Sequence, residues 1–280
     1  MTELKIKRSS IYVHREHSPE NIGFSVFSSN SSYALVNAVY AERLAVDEIL
    51  SWTTQSPISA CCEENGLVRT GRTEVRRKTL GNESIVIRRF MRGGLLAERF
   101  LGNRFFLCPS RTLAETRPIA ELLVLSILFQ AGLNVPLPVA AVSTRIGDEN
   151  AVCLRHFYRA AIATREVASS ENLLAHWENI KNRPDKSWDE FGLACRKAGI
   201  QARKMLLAGV FHSDLHVGNA IVDAHGEVHL IDFDRAVVLK SPAERVKFGE
   251  RLLSRWDRSV LKHGITSLAI EEFARGLEAF

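Results

Sequence analysis

Two aspartates and an asparagine share one polar stretch of the chain, with a spacing that suits metal-assisted chemistry. Asp214 and Asp232 lie eighteen positions apart with Asn219 between them, in a segment that reads HSDLHVGNAIVDAHGEVHLIDFDR. Asp232 ends an apolar run, where burying a lone carboxylate would be costly. Carboxylate and amide oxygens are ligands that Mg²⁺ accepts, so a metal-binding role is expected.

The order of these residues predicts phosphoryl transfer from a nucleotide. A kinase catalytic loop has the pattern His-x-Asp-x-x-x-x-Asn, followed across a hairpin by Asp-Phe-Gly. This chain places His212, Asp214 and Asn219 at that spacing, and Asp232 opens an Asp-Phe-Asp sequence after a predicted hairpin. We expect Asp214 to orient the attacking hydroxyl and accept its proton, and Asn219 and Asp232 to hold Mg²⁺. A capped turn with incidental acids is the alternative.

Residues upstream match the nucleotide side of the same plan less fully. Arg88 ends an Ile-Val-Ile-Arg sequence where a kinase has Val-Ala-Ile-Lys, and Glu121 lies one turn into a predicted helix, where it could pair with Arg88. Gly71 lies at the turn where a glycine-rich loop would cover the phosphates, although one glycine stands there instead of three. Arginine remains a good phosphate ligand. The alternatives are a plain strand arginine and a solvated helix carboxylate.

The elements that must position these residues follow from local patterns. Strands and turns dominate the first half, and helices around a small hairpin dominate the second. Strands are predicted at 67–70, 73–80, 84–90, 139–144, 151–158, 220–222 and 228–233. Helices are predicted at 38–49, 116–131, 188–208, 241–262 and 267–277, and a further one through Trp177 with a cap at Ser169 and Ser170. Ser241 is the expected hydroxyl cap of the helix that follows it.

This order predicts an α+β chain with two lobes. The N-terminal lobe is expected to be an antiparallel sheet plus a helix, and the C-terminal lobe mostly helical with the catalytic hairpin. We expect an N-terminal extension of unclear role at 1–60, the N-lobe at 61–158 and the C-lobe at 159–280.

Composition and charge set further limits. Hydrophobic residues make up 46% of the chain, which is ordinary for a globular protein. The five cysteines form no CxxC motif, and neither a signal peptide nor a membrane-spanning run is evident, so we expect reduced thiols in the cytosol. The net charge of +5 is uneven, because residues 69–117 hold twelve Arg or Lys against four Glu. That stretch predicts an anionic partner such as phosphate, nucleic acid or acidic lipid, with a solvated surface as the alternative.

The segment after the second aspartate argues against a protein substrate. Six residues, 235–240, separate Asp234 from Ser241, too few for the long activation segment of a protein kinase. Ser213 also replaces the arginine that would read a phosphorylated activation loop. A small-molecule or lipid-linked acceptor is therefore expected.

The sequence resembles the 3-deoxy-D-manno-octulosonic acid (Kdo) kinases of the lipopolysaccharide kinase group. The resemblance spans about 69–263, and its Asp-Phe-Asp-Arg and Arg-Gly-Gly sequences are specific to this group. The resembling stretches are GRTEV, VIRRFMRGGLLAERFLGNRFF, RPIAELLVLSILFQAGLNVPLPVAA, FHSDLHVGNAIVD, VHLIDFDRA and RWDRSVLKH.

The resemblance implies a protein kinase-like fold that uses ATP and Mg²⁺. It implies transfer of the γ-phosphate to the 4-hydroxyl of Kdo on a lipid A precursor, by a peripheral protein at the cytoplasmic face of the bacterial inner membrane or in the cytoplasm. Asp214 would be the catalytic base, Asn219 and Asp232 the metal ligands, and Arg88 with Glu121 the pair at the phosphates. Residues 1–60 lie outside the resemblance.

Basic and aromatic residues cluster around the Arg-Gly-Gly sequence. We expect this segment to contact the anionic membrane surface or the acidic acceptor, with ordinary packing as the alternative. Its residues are Arg89, Arg92, Arg99, Phe100, Arg104, Phe105 and Phe106.

Three other functions stay open at this point. A core heptose kinase, or a small-molecule kinase of the aminoglycoside type, would keep the chemistry and change the acceptor. A kinase-like scaffold without turnover would usually lack at least one of Asp214, Asn219 and Asp232. Nucleic-acid binding is the weakest reading, because no recognised nucleic-acid motif accompanies the charge, and no nucleic-acid partner is expected.

Overall fold

The protein is α+β, and its chain divides into two compact units. The computed structural model describes residues 5–6, 9–10, 23–54, 67–70, 73–91, 104–107, 111–146, 157–182 and 186–278. The first unit comprises Met1–Leu123 and Leu137–Glu166, and the second comprises Val124–Pro136 and Val167–Phe280.

The strands belong mostly to the first unit. In chain order they are β1 (Lys5–Ile6), β2 (Ser9–Ser10), β3 (Phe24–Ser28), β4 (Ser32–Asn37), β5 (Leu67–Thr70), β6 (Thr73–Leu80), β7 (Glu83–Arg89), β8 (Phe105–Phe106), β9 (Pro138–Arg145), β10 (Phe157–Arg165), β11 (Glu171–Asn172), β12 (Val210–Phe211), β13 (Ala220–Val222), β14 (Val228–Leu230) and β15 (Val237–Val238).

Most of the longer helices lie in the second unit, and the helix Arg117–Gln130 begins in the first unit and ends in the second. In chain order the α-helices are α1 (Ala38–Ala41), α2 (Val46–Thr54), α3 (Arg117–Gln130), α4 (Leu173–Ile180), α5 (Lys186–Leu207), α6 (Glu244–Lys262) and α7 (Leu268–Glu278). Short 3₁₀ helices cover Leu113–Glu115 and Val217–Asn219.

An antiparallel sheet forms the first unit. Its strand order is β3-β4-β9-β10-β7-β6-β5, and β8 pairs with β10 off this path. The hairpin between β6 and β7 closes with a two-residue turn, because Leu80 pairs with Glu83 and Gly81 adopts a positive φ of 60°. Glycine reaches that conformation without steric cost, which fixes the register of the strand that carries Arg88.

The core of the first unit lies between the sheet and helix α2. Ile49 and Trp52 of α2 pack with apolar side chains from the middle strands, among them Ile85 and Val139. Ile85 points to this side of β7, and burial alternates along that strand as its period of two requires.

Helices α5 and α7 of the second unit cross at unusually close range. A Cβ atom added at Gly199 would lie 2.1 Å from the carbonyl oxygen of Phe273, and one added at Gly276 would lie 2.1 Å from that of Arg196. Only glycine lets the two backbones approach in this way. Trp256 of α6 then stacks on Phe273 with ring centroids 4.2 Å apart, so α6 is anchored to the same core.

Two predicted helix starts are wrong. Helix α6 begins at Glu244 with no side-chain cap, whereas Ser241 was the predicted cap; the Glu244 carboxylate instead accepts the Lys240 N–H at 2.8 Å. Helix α4 is capped by Asn172 rather than by the preceding serines, because its Oδ1 accepts the Ala175 N–H at 2.8 Å. Only Asn172 therefore satisfies a free N–H group of a first helical turn, and the Glu244 bond closes the chain that leads into α6.

Other predicted elements are displaced or divided. The helix predicted at 38–49 is two helices, α1 and α2. The break between them lets Tyr40 of α1, Leu44 of the break and Ile49 of α2 all be buried. The strand predicted at 151–158 overlaps β10 only at its end, since β10 takes its register from β9 and β7; residues 151–156 lie outside the described part. Strands β3 and β4 lie in the stretch where no strand is predicted, and β4 pairs with β9.

Candidate active site

The catalytic-loop sequence of the second unit is held in place by a buried histidine. His212 is 1% exposed, and its Nε2 lies 2.9 Å from the carbonyl oxygen of Ile231. Its Nδ1 accepts the backbone N–H of Asp214 at 3.2 Å. Burial lowers the pKa of His212, although the Ile231 carbonyl and nearby carboxylates oppose the shift. A neutral imidazole with the proton on Nε2 satisfies both bonds and ties the loop to the strand that precedes Asp232.

Asn219 is fixed beside the same loop. Its side-chain Nδ2 donates to the backbone carbonyl oxygen of Asp214 at 3.0 Å. The backbone carbonyl oxygen of Asn219 accepts the Ile231 N–H at 3.0 Å. Asn219 is 8% exposed, and its side chain is oriented by the bond to Asp214. Because the amide nitrogen is occupied in this way, Oδ1 is the atom that can act as a ligand.

Asp232 has a strained backbone at the point where the second strand of the hairpin ends. Its φ is 65°, in the left-handed region that non-glycine residues rarely adopt. The next residue, Phe233, is 1% exposed and lies against His212 with ring centroids 4.7 Å apart. Burial of Phe233 therefore holds the backbone that presents the Asp232 carboxylate towards solvent, where its side chain is exposed.

Asp214 is a half-exposed carboxylate whose partner comes from helix α6. Arg255 Nη1 donates to Asp214 Oδ1 at 2.8 Å, with the two side chains 40% and 51% exposed. Asp214, Asn219 and Asp232 are thus brought to one loop and hairpin by backbone bonds and by His212. Asp214 lies on a loop and Asn219 directly before a strand, as the sequence predicts, whereas Asp232 lies two residues beyond the end of β14 and not inside the strand predicted at 228–233.

Arg88 and Glu121 are in direct contact within the first unit. Arg88 projects from β7, and its Nη2 lies 2.5 Å from Glu121 Oε1 on α3 and also contacts Oε2. Glu121 is 3% exposed and Arg88 18% exposed, so the pair is largely buried. The guanidinium also lies over the ring of Phe90, 5.0 Å from its centroid. A buried pair of this kind holds a cation in one orientation.

The remaining predicted nucleotide residue, Gly71, lies outside the described residues. The basic and aromatic cluster is partly described, and two of its members were wrongly expected at the surface, Arg89 and Phe105, the latter 6% exposed. Arg89 is 5% exposed and bonds Glu74 at 3.0 Å, because the two residues face each other across β6 and β7. Arg104 is exposed and Phe106 is 54% exposed, whereas Arg92, Arg99 and Phe100 lie outside the described part.

The donor set in the second unit fits Mg²⁺. One carboxylate, from Asp232, and one amide oxygen, from Asn219, are hard oxygen ligands. No group of three or more His, Cys, Asp or Glu side chains in the described part of the chain is placed to hold a metal. Mg²⁺ does not require one, since it commonly takes one or two protein ligands and completes its shell with water and substrate phosphates.

Two features of the site carry no local signal in the sequence. Arg255 stands in the RWDRSVLKH stretch, forty-one residues after Asp214, and nothing in the spacing indicates the contact. His212 belongs to the loop pattern, but its bridge to the Ile231 carbonyl depends on the closed hairpin. The histidine at the start of the pattern is visible in the sequence, but its burial and its partners are not.

These elements define the class of the protein. Asp214, an asparagine five residues later and an aspartate after a hairpin follow the order of the kinase catalytic-loop pattern. The chain belongs to the lipopolysaccharide kinase (Kdo/WaaP) family, whose model matches residues 52–276. It is therefore a phosphotransferase with an alcohol group as acceptor.

Relatives of known name agree with this family. The chain is 27% identical over 227 residues to a 3-deoxy-D-manno-octulosonic acid kinase from Vibrio vulnificus, covering 81% of this chain and 85% of that protein. It is 29% identical over 224 residues to the kinase of the same name from Vibrio cholerae, covering 77% and 86%. A third, from Xylella fastidiosa, is 32% identical over 177 residues, covering 63% and 61%.

In the part of the chain that the structure describes, no helix is both long and apolar enough to span a bilayer.

Proposed function

We propose that this protein transfers the γ-phosphoryl group of ATP to the 4-hydroxyl of a Kdo residue on a lipid A precursor. The observation that carries the proposal is the set of contacts from His212 and Asn219 that brings Asp214 beside the hairpin ending at Asp232. Family membership and the names of the relatives support the acceptor.

Asp214 is the proposed catalytic base. Its half-exposed carboxylate accepts the proton of the acceptor hydroxyl as the new oxygen–phosphorus bond forms and the bond between the γ-phosphorus and the ADP oxygen breaks. His212 and Asn219 hold the loop in place during this step, because both bond backbone atoms of Asp214. Phe233 and the strained backbone of Asp232 keep the second carboxylate fixed.

Asn219 and Asp232 are the residues that we propose to hold Mg²⁺. When bound, the ion neutralises charge on the phosphates of the nucleotide. Arg88, oriented by the buried Glu121, is the proposed cation for the same phosphates. Gly71 is proposed to lie at the turn that covers them.

The two compact units are proposed to be the lobes of a protein kinase-like fold. Residues 61–158 and 159–280 are the expected N-lobe and C-lobe, with an extension at 1–60. Strands β3 and β4 of that extension pair within the sheet of the first unit, which supports including them in the N-lobe. The phosphate-side pair then belongs to the N-lobe and the catalytic loop to the C-lobe.

The protein is proposed to work at the cytoplasmic face of the inner membrane, where a lipid-linked acceptor would be reached. Exposed Arg104 stands two residues before exposed Phe106, a pairing of cation and aromatic ring suited to an anionic lipid surface. Neutralising Arg92, Arg99 and Arg104 together should weaken binding to vesicles that contain anionic lipid. Unchanged binding would remove the membrane part of the proposal.

The test of the chemistry is phosphate transfer from labelled ATP with Mg²⁺ to a Kdo-bearing lipid A precursor. Asp214→Asn should lower the rate by about 10²–10⁴-fold, because it removes the base while keeping the size of the side chain. Asp257→Asn removes a carboxylate from helix α6 of the same unit and should leave the rate within about threefold of the wild type. Equal rates for both variants would contradict the role of Asp214.

A further inference from the structure

The Asp214 carboxylate does not face solvent alone. Arg255 Nη1 lies 2.8 Å from Asp214 Oδ1, and both side chains are about half exposed. An exposed ion pair of this kind contributes little to folding. The contact therefore calls for a different explanation, which the chemistry of the loop supplies.

Helix α6 presents Arg255 from a rigid position. The next residue, Trp256, is fully buried, and its Nε1 donates to the carbonyl oxygen of Ala269 at 3.0 Å. The backbone of α6 at this point is consequently fixed against α7. In the described part of the chain, the Arg255 guanidinium bonds Asp214 through one of its five N–H donors, and its side chain is 40% exposed.

A second cation from the same helix borders the catalytic loop. Lys262 follows Arg255 by seven residues, so the two project from the same helix face. Burial lowers the pKa of His216 on the loop, Asp214 and Asp232 oppose the shift, and His263 and Lys262 add to it. Lys262 therefore brings a second cation of helix α6 close to the loop, which favours an anionic ligand there.

The ion pair also conflicts with the role of Asp214 as a base. While Arg255 Nη1 donates to Asp214 Oδ1 at 2.8 Å, that oxygen is engaged by the guanidinium rather than by an acceptor hydroxyl. The conflict is relieved if a second carboxylate takes the guanidinium when the acceptor hydroxyl arrives. The guanidinium fork matches a carboxylate in geometry and can bind it through two parallel hydrogen bonds.

We infer that Arg255 binds the carboxylate of the acidic acceptor sugar and thereby places the acceptor hydroxyl at Asp214. This inference rests on the proposed function, in which the acceptor is a sugar acid. In the free protein Asp214 occupies the guanidinium. In the complex the sugar carboxylate takes its place, and Asp214 is free to accept the hydroxyl proton. Arg255 is then a determinant of specificity for acidic over neutral sugars.

The test compares two acceptors and two variants of helix α6. The acceptors are a short-chain lipid A precursor bearing one Kdo residue and the same compound with the Kdo carboxyl reduced to an alcohol. The variants are Arg255→Gln and the control Arg251→Gln, which removes the same charge one turn earlier. The Arg251 guanidinium lies over the Phe248 ring, 5.0 Å from its centroid, and is thus engaged elsewhere.

Binding is measured by calorimetry without nucleotide, and turnover is measured separately. Arg255→Gln should raise the Kd and KM for the acidic acceptor by about 10- to 100-fold, as expected for a lost charge-assisted hydrogen bond. The same variant should change the Kd for the reduced acceptor less than about threefold and leave the KM for ATP unaltered. Arg255→Lys should recover part of the loss, and Arg251→Gln should match the wild type.

Other outcomes overturn the inference in distinguishable ways. An equal loss for both acceptors, or a lower kcat with unchanged Kd, would mean that Arg255 acts only through Asp214. If the wild type phosphorylates the acidic acceptor and Arg255→Gln binds that acceptor as tightly as the wild type does, the role of Arg255 is refuted and the proposed function stands. If the wild type binds the acidic acceptor, Arg255→Gln weakens that binding, and neither protein transfers phosphate to it, the proposed function is refuted instead.

Discussion

Removing Glu121 alone should destabilise the first unit more than removing Glu121 and Arg88 together. Glu121 is 3% exposed and Arg88 18% exposed, so Glu121→Met leaves a guanidinium largely buried without its carboxylate. Breaking a buried pair in this way costs about 3–5 kcal/mol. The partial exposure of Arg88 and its position over Phe90 place the expected loss at the lower end, about 3 kcal/mol.

Removing both charges should restore most of that stability. The double variant Arg88→Met with Glu121→Met replaces the pair by apolar side chains of similar length, a change that is often neutral. We expect it to lie within about 1 kcal/mol of the wild type, which makes the coupling between the two residues about 2 kcal/mol or more. Urea unfolding followed by circular dichroism measures each free energy of unfolding.

Nucleotide binding separates the functional role of the pair from its structural one. Arg88→Met and the double variant should both bind ATP with Mg²⁺ about 10- to 100-fold more weakly, since each lacks the cation proposed for the phosphates. The double variant would then be stable and yet bind poorly. Additive losses of stability would refute the coupling, and normal ATP affinity in the stable double variant would refute the role of Arg88 at the phosphates.

Three further predictions concern the second unit. Gly199→Ala should destabilise it by about 1–3 kcal/mol in urea unfolding, because the new Cβ would lie 2.1 Å from the backbone oxygen of Phe273. The control Gly249→Ala should be neutral or stabilising, because its Cβ would make an ordinary contact at 3.7 Å. Asp232→Gly and Asp232→Ala should both abolish transfer, but the glycine variant should be more stable by about 0.5–1 kcal/mol, because alanine is strained at a φ of 65°. The free energy of unfolding should fall as the pH drops below about 6.5. His212 takes up a proton there in the unfolded chain, whereas burial lowers its pKa in the folded protein and keeps it neutral. The fall should be smaller in His212→Gln.

Each of these has an outcome that would contradict it. A stable Gly199→Ala variant would mean that α5 and α7 do not approach at the glycines. Equal stability of the two Asp232 variants would argue against backbone strain at the site. An identical pH dependence in His212→Gln and wild type would show that His212 does not stay neutral in the folded protein.

The sequence predicts best those features whose causes are local. The Gly81 turn fixes the β6–β7 hairpin, and the apolar face of 116–131 closely matches the observed helix α3. The order of Asp214, Asn219 and Asp232 predicts the loop and hairpin, because a short hairpin constrains which side chains can meet. Helix α5 is likewise close to its predicted bounds and ends before Gly209, which has a positive φ of 79°.

The features that depend on distant partners could not be predicted in this way. Strand β4 is stabilised by pairing with β9, more than a hundred residues later in the chain, so its own residues carry a weak signal. Arg89 follows Arg88 in a basic stretch and is expected at the surface, yet its cross-strand neighbour Glu74 makes burial possible. The contact between Arg255 and Asp214 likewise depends on how α6 packs.

The central claim is tested most directly by an acceptor panel. Labelled ATP with Mg²⁺ is offered with a Kdo-bearing lipid A precursor and, separately, with a heptose-bearing core acceptor, for wild-type protein and for Asp214→Asn. Transfer to the Kdo acceptor alone, lost in Asp214→Asn, is the predicted result. Transfer to the heptose acceptor alone would keep the chemistry and contradict the acceptor, and transfer to neither, with ATP still bound, would contradict the assignment as a Kdo kinase and favour a kinase-like scaffold.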